Sequence, residues 1–290
     1  MVSGIATAVV AAFVWGGYLY ALKRHFSDYS GAVVAVVMNV CATAWYLPTA
    51  ALYLGGFPAV PSLDPMSLLV TAGTIALAAA GFLTFMHAIS DGDVSLVAPI
   101  AKVVPVFVLP IEVLLLEEVF GPLQVLGVVF ATAAIYLANY EGGPLLGPFR
   151  NLASSRPVQL ALLSAACYAV SDVGKRLVLQ GIDFPGSIWI PVSLLGAAVV
   201  LAPIAYRDWP ADGVRDDLPL FVAAAAVVVV GRVLTTFAFS VTSASVASTI
   251  INAQAVVAVV LGGILLAEDG FRMRLAAAVL AITGIALIAS

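Results

Sequence analysis

The sequence consists mainly of long apolar segments separated by short polar connectors. A helix needs about 20 mostly apolar residues to cross the hydrocarbon core of a bilayer, and ten segments of this kind follow one another along the chain. They cover residues 3–22, 30–54, 65–89, 93–116, 122–140, 157–177, 187–206, 218–240, 243–267 and 272–290. The connectors carry most of the charge, which is typical of water-facing turns. The sequence therefore predicts an all-α integral membrane protein with ten transmembrane helices.

The composition excludes a water-soluble fold. Of the 290 residues, 63% are hydrophobic and 10% are charged, whereas charged residues make up roughly a quarter of soluble domains. The net charge of -4 comes from scattered acidic residues, so we expect a lipid bilayer and no nucleic acid as partner. Cys41 and Cys167 lie in separate apolar segments without a CxxC spacing, and we interpret them as small core or lipid-facing residues.

The second half of the chain repeats the first. A shift of 152 positions places Lys23-Arg24 on Lys175-Arg176, and a shift of 150 positions aligns identical residues later in each half without a gap. The pairs at the shift of 150 are Gly81 with Gly231, Ser90 with Ser240, Ser95 with Ser245, Ile100 with Ile250, Leu115 with Leu265 and Glu118 with Glu268. We assign residues 1–140 to a first five-helix repeat, 141–156 to a linker and 157–290 to a second repeat. Because five is an odd number, the second copy must enter the membrane from the opposite side, which predicts two inverted repeats.

Inverted repeats are typical of secondary transporters that bind their substrate near the bilayer midplane. A channel is the first alternative, because duplicated membrane proteins include channels, and it would need a pore lined by charges or carbonyls. A membrane-embedded enzyme is less favoured, since the sequence has no HExxH or GxSxG motif and only two histidines, His25 and His87. We therefore predict a transporter and no enzymatic activity.

Several short motifs recur at equivalent places in the two halves. In the first half they are Trp15-Gly16-Gly17 with Lys23, the segment 95–108 with Pro105, Leu116-Glu117-Glu118 and Gly127; in the second they are the segment 243–260, Leu266-Ala267-Glu268 and Gly284. Together with the ten spans, this pattern resembles the EamA-type permeases of the drug/metabolite transporter superfamily over nearly the whole chain.

The resemblance implies a ten-helix carrier of the cytoplasmic (inner) membrane that imports or exports small metabolites, amino acids among them, by alternating access and without a bound cofactor. We expect a monomer or a homodimer. One departure is Ala255, which stands opposite Pro105 in the second copy. A proline-dependent bend is therefore expected in the first copy only.

Lys102 is the first candidate for substrate binding, because it lies near the middle of the segment 93–116 and a charge at that depth costs roughly 3 kcal/mol on insertion scales. Its counterpart at the shift of 150 is Asn252. Two polar faces follow helical spacing, and they consist of Ser95, Pro99 and Lys102 in one copy and Ser245, Thr249 and Asn252 in the other. We predict that these faces oppose each other across a central cavity and that Lys102 anchors an anionic substrate group. The alternative for Lys102 is a structural cation.

Other polar and aromatic residues are further candidates. Arg232, on one predicted helix face with Thr236 and Ser240, is suited to binding a carboxylate or to bracing a neighbouring helix. Trp15, Tyr18 and Tyr168 suit stacking against a substrate, although interfacial aromatic belts explain such residues as well.

His87 and Asp91 are four residues apart, which suits a proton-sensitive gate or a solvated helix end. Asp172 precedes Lys175 and Arg176 by three and four residues, so a local ion pair is expected. A coupled proton would require that this pair breaks. For the orientation, the family resemblance implies cytoplasmic termini, whereas the count of loop lysines and arginines favours termini outside.

Overall fold

The computed structural model describes residues 2–26, 28–91, 101, 103–138, 155–211, 214–254, 256–257 and, near the C-terminus, 276, 279–280, 282–284 and 286–288. Every regular element among these residues is helical. The helices are α1 (Val2–His25), α2 (Gly31–Leu54), α3 (Pro65–Asp91), α4 (Val104–Leu115), α5 (Pro122–Ala138), α6 (Arg156–Arg176), α7 (Gly186–Arg207), α8 (Leu218–Val241) and α9 (Ala244–Asn252). The described residues between 276 and 288 are also helical and form a tenth segment.

The helices are long and apolar enough for a membrane protein. Among the described residues, five helical stretches have the length and hydropathy of a membrane span, and they lie in α2, α3, α6, α7 and α8. Shorter apolar helices occur at Ser3–Leu19, Val104–Leu115 and Pro122–Ala134. Helix α6 continues beyond the predicted end at residue 177 as a π-helical turn, Leu177–Gly181. The predicted all-helical architecture is thus confirmed.

The helix contacts are related by exchange of the two repeats. Helix α1 packs on α8 and α6 packs on α3, which are equivalent pairs when the repeats are interchanged. The same exchange relates the α1–α9 contact to the α6–α4 contact. It also relates the α2–α8 contact to the α7–α3 contact. The α2–α7 contact and the α4–α9 contact each map onto themselves when the repeats are exchanged. This pattern is what a pseudo-twofold relation between the repeats requires.

Two glycines that the repeat superimposes each lie against an aromatic residue on the first helix of the other repeat. A Cβ atom at Gly231 of α8 would lie 2.7 Å from the ring of Trp15 on α1, and a Cβ atom at Gly81 of α3 would lie 3.1 Å from the ring of Tyr168 on α6. Small residues allow membrane helices to approach closely. Each repeat therefore inserts an aromatic side chain from its first helix against the third helix of the other repeat.

Hydrogen bonds between side chains and neighbouring backbones add to this packing. Ser164 and Ser171 of α6 donate to the carbonyl oxygens of Gly81 and Thr74 on α3, at 2.7 and 2.9 Å. Tyr46 of α2 donates to the carbonyl oxygen of Ser187 on α7, at 3.0 Å. Such bonds contribute on the order of 0.6 kcal/mol each in a membrane. Large apolar side chains such as Leu114 instead lie on the surface, 78% exposed, where lipid would cover them.

Helix 4 and helix 9 are interrupted at equivalent positions. Ala101 is helical, Val103 is not, and α4 begins at the next residue; in the second copy α9 ends before Ala253, a turn residue. Each interruption has an equivalent hydrogen bond. The N–H of Val106 donates to the carbonyl oxygen of Val103 at 3.0 Å, and the N–H of Val256 donates to the carbonyl oxygen of Ala253 at 2.9 Å. The second interruption forms without a proline, so it has another cause than the proline-dependent bend expected in the first copy.

A contact between loops joins the repeats at one end. Tyr29, between α1 and α2, donates a 2.5 Å hydrogen bond to the carboxylate of Asp217, just before α8. This hydrogen bond, with the negative charge of Asp217, raises the pKa of Tyr29 to about 12. The phenol therefore stays protonated, and able to donate, well above neutral pH.

The contact of Gly231 with Trp15 generates a test of the exchange-related packing. We expect Gly231→Ala to destabilise the protein by about 1–3 kcal/mol, because the new methyl group overlaps the Trp15 ring. The loss should disappear when Trp15→Ala is already present. Thermal unfolding of the purified protein in detergent measures both values. Gly73→Ala is the matched control, since nothing lies within 4 Å of its added Cβ; an equal loss in both Trp15 backgrounds would contradict the packing.

Candidate functional site

A carboxylate is fully buried where helix ends of the two repeats meet. The side chain of Glu112 on α4 is 0% exposed. It accepts hydrogen bonds from the backbone N–H groups of Ala244 at 2.6 Å and Ser245 at 2.7 Å, in the first turn of α9. The usual capping residue, Ser243, makes no side-chain cap there. Glu112 therefore caps a helix of the other repeat, and the positive end of the helix dipole stabilises its charge.

Arg176, in the last turn of α6, completes this arrangement. Its Nη1 atom lies 2.6 Å from Glu112 and its Nη2 atom 2.7 Å from Glu118, in the α4–α5 connection. Its Nε atom donates to Gln180 at 3.3 Å. Gln180 in turn donates to the carbonyl oxygens of Phe239 and Thr242, at 2.6 and 2.7 Å, where α8 ends. We refer to Glu112, Glu118, Arg176 and Gln180 as the Glu112 network.

The Glu112 network binds three second-repeat helix ends to the first repeat. It contacts the C-terminal ends of α6 and α8 and the N-terminus of α9. A cavity of about 230 Å³ adjoins Arg176 and Gln180. Because removing one member would leave a buried charge or helix terminus without a partner, the network can hold this end of the protein closed.

Asp172, one turn before Arg176 on α6, forms a separate polar contact with α9. One carboxylate oxygen of Asp172 lies 2.9 Å from Lys175, as expected, and the other accepts a 2.6 Å hydrogen bond from the Ser248 hydroxyl. Asn252 donates to the Ser248 hydroxyl at 3.1 Å and to its carbonyl oxygen at 2.9 Å. A continuous polar chain thus runs from the ion pair to Asn252. Lys175 and Arg176 both belong to ion pairs, which weakens their use as topology signals.

Four aromatic and basic residues converge between α1, α6 and α8. The Trp15 indole donates to Thr235 at 3.0 Å and packs edge-on to Tyr18, with ring centroids 5.5 Å apart. The Arg232 guanidinium lies over the Trp15 ring, 6.0 Å from its centroid, and Tyr18 and Tyr168 lie nearby. All four side chains are half-buried. We call Trp15, Tyr18, Tyr168 and Arg232 the central aromatic cluster.

The predicted site residues are thus placed in different surroundings. Three of them, Trp15, Tyr168 and Arg232, come together in the central aromatic cluster. Lys102 and Ser95 lie outside the described residues, although Val103, next to Lys102, marks the interruption of helix 4. Asn252 is half-buried beside the equivalent interruption, whereas Thr249 is fully buried with its hydroxyl unpaired among the described residues.

His87 and Asp91 make separate contacts. A ring nitrogen of the exposed His87 lies 2.8 Å from the carbonyl oxygen of Leu83, one turn earlier in α3. Asp91 instead lies 3.8 Å from Arg156 at the start of α6. This placement matches a solvated helix end more closely than a His–Asp pair.

The roles of Glu112, Arg176 and Thr235 do not follow from the sequence pattern. Arg176 was grouped with Asp172 because they are four residues apart, but its partners Glu112 and Glu118 lie 64 and 58 residues away. The available signal was the position of Glu112 deep in an apolar segment, because a buried carboxylate needs a positively charged partner. Thr235, rather than Thr236, contacts the central aromatic cluster, where it accepts the hydrogen bond of the Trp15 indole.

A larger cavity, of about 690 Å³, lies away from these clusters. It is open and is lined by α4, α5 and neighbouring segments, with Phe107, Thr132, Tyr136 and Leu162 among its residues. Its surface is almost entirely apolar. Its lining therefore suits an apolar occupant better than a polar substrate.

Comparisons with known proteins agree with the fold. The model of the EamA-like transporter family matches residues 2–140 and 155–290. A solved crystal structure of another protein is 15% identical, with a TM-score of 0.78, over 99% of this chain and 98% of that one. At this identity the likeness concerns the fold alone. No curated protein matches the sequence.

The burial of Glu112 generates a stability prediction. Glu112→Ala should destabilise the protein by about 3–5 kcal/mol, because Arg176 loses its buried partner and two N–H groups of α9 lose their cap. Thermal unfolding in detergent is the measurement. Glu117→Gln, which removes the same charge from an exposed neighbour, should change stability little. A Glu112→Ala variant as stable as this control would show that the network contributes nothing.

Proposed function

Because the chain belongs to the EamA-like transporter family, we propose that it is a secondary transporter that moves small metabolites, such as amino acids, across the cytoplasmic membrane. Transport would occur by alternating access, with the two inverted repeats moving against each other around a central site. As a multi-pass membrane protein of this family, it acts as a carrier rather than an enzyme.

The Glu112 network is the observation that carries this proposal. It joins residues of the first repeat to three helix ends of the second, so it can hold the protein closed at one end while the site communicates with the other. A fixed pore would not need a buried, breakable set of ion pairs between its halves. Alternating access does need one, since each end must close in turn.

The helix interruptions at Val103 and Ala253 support a central substrate site beside them. Transporters of inverted-repeat design often bind substrates and ions where membrane helices are discontinuous, because the backbone groups freed there face a cavity. Lys102 and Asn252 immediately precede the two interruptions. Their positions support the earlier prediction that helices 4 and 9 contribute a substrate site.

Saturable uptake would separate the carrier from a channel. Purified protein in proteoliposomes should transport a subset of small metabolites with a rate that saturates and with counterflow of labelled substrate. A panel of amino acids, nucleosides and cationic drugs would identify that subset. Flux that rises linearly with concentration and shows no counterflow would instead favour the channel.

Lys102 is the residue we predict to anchor an anionic group during transport. Lys102→Met should abolish transport of a zwitterionic substrate, because the compensating positive charge is lost. Lys102→Arg keeps the charge but not the compact ammonium group and should retain part of the activity. Counterflow on purified, folded variants is the measurement. Wild-type transport in Lys102→Met would leave Lys102 as a structural cation.

The closure by the Glu112 network can be tested by accessibility. Ser245, whose side chain is 0% exposed, would be replaced by cysteine in a protein lacking Cys41 and Cys167. Glu112→Gln should speed its labelling by a membrane-impermeant maleimide about tenfold, as expected if the closed state is weakened by about 1.4 kcal/mol. The amide keeps the size of the carboxylate, but its NH₂ group would face another donor.

Glu117→Gln serves as the control for that labelling, because it removes a nearby charge that lies outside the network. Labelling should stay slow in this variant. Equal labelling rates for the unaltered background, Glu112→Gln and Glu117→Gln would contradict a role of the network in closure.

A further inference from the structure

Arg232 is a cation in the middle of an otherwise uncharged membrane helix. No other residue of α8 carries a charge. Placing an arginine at the centre of a membrane helix is costly, so such residues normally pair with an acid or line a water-filled space. The partners of Arg232 therefore decide whether it is a structural or a functional residue.

The described residues provide no acid for Arg232. The salt bridges among them use Asp91, Asp172, Glu112 and Glu118, all with other cations. Asp172, one turn after Tyr168 on α6, is occupied by Lys175 and Ser248. The Nε atom of Arg232 is buried and has no hydrogen-bond partner in the described part of the chain. Its charge and at least one donor are thus uncommitted.

The surroundings of Arg232 are aromatic and fixed. Trp15 is held by its hydrogen bond to Thr235 and by its contact with Gly231, and Tyr168 is held against Gly81. Aromatic faces attract a guanidinium but do not neutralise it. A bracing role would require a hydrogen-bonded partner on another helix, and the contact with the Trp15 ring is not of that kind.

We propose that the central aromatic cluster is the subsite for a carboxylate carried by a small planar or aromatic substrate. The Arg232 guanidinium would bind the two carboxylate oxygens, a geometry for which its planar fork is suited, and the rings of Trp15, Tyr18 and Tyr168 would enclose the apolar part. This inference rests on the transport function proposed above. Arg232 of the second repeat would act together with Lys102 of the first, so that both repeats could attract the anionic group of the substrate.

Binding of three similar probes tests the proposal without requiring transport. Benzoate, benzamide and benzylamine share a ring and differ mainly in charge. Benzoate at millimolar concentration should raise the thermal midpoint of the purified wild-type protein, and the other two should not. Arg232→Gln should weaken benzoate binding about 10- to 100-fold, and Arg232→Lys should weaken it less.

A matched control and a second readout separate binding from structure. Arg207→Gln removes an exposed arginine at the end of α7 and should leave benzoate binding unchanged. Without ligand, Arg232→Gln should raise the thermal midpoint, because it removes an uncompensated charge; a bracing arginine would give a lower midpoint.

The proposal is overturned if benzoate fails to stabilise the wild type, if all three probes stabilise it equally, or if Arg232→Gln binds benzoate normally or unfolds earlier. Failure of the transport function is a different result. It would appear as the absence of saturable flux for every compound in proteoliposomes, whatever the outcome of the benzoate measurements.

Discussion

A buried carboxylate that caps a helix of the opposite repeat is the interaction on which the arrangement of this protein depends. Taking an ion out of water costs several kcal/mol after relaxation, and the Glu112 side chain is fully excluded from solvent. Hydrogen bonds from two backbone N–H groups of α9 and from the Arg176 guanidinium offset this desolvation energy. Since these groups come from α6 and α9, the charge is stabilised only when the two repeats are docked at this end.

The repeats are joined by two kinds of contact, the packing of aromatic rings on glycines and the charged bonds of the Glu112 network. The packing of Trp15 on Gly231 and of Tyr168 on Gly81 is tight and apolar and joins helix pairs that exchange of the repeats relates, so it suits contacts that persist. The Glu112 network consists of short, charge-assisted bonds that water can replace. A movement between repeats would therefore break the second kind before the first, because hydration compensates separated charges but not a lost ring contact.

The sequence allowed the helices and their duplication to be predicted, because both follow from local hydropathy and from identity at a fixed shift. It also pointed to Trp15, Tyr168 and Arg232. It could not show that they converge, since Arg232 and Trp15 approach only through the packing of α1 on α8. The interruption at Ala253 was missed for a related reason: no proline marks it, and its hydrogen bonds resemble those at Val103.

The cap supplied by Glu112 has no copy in the other half. The shift of 150 that aligns Glu118 with Glu268 places Gly262 opposite Glu112, so the opposite face cannot close with the same buried carboxylate. If the repeats move as proposed, gates of unequal strength would give the empty protein unequal ground states, and each 1.4 kcal/mol of difference would be a tenfold bias in their populations.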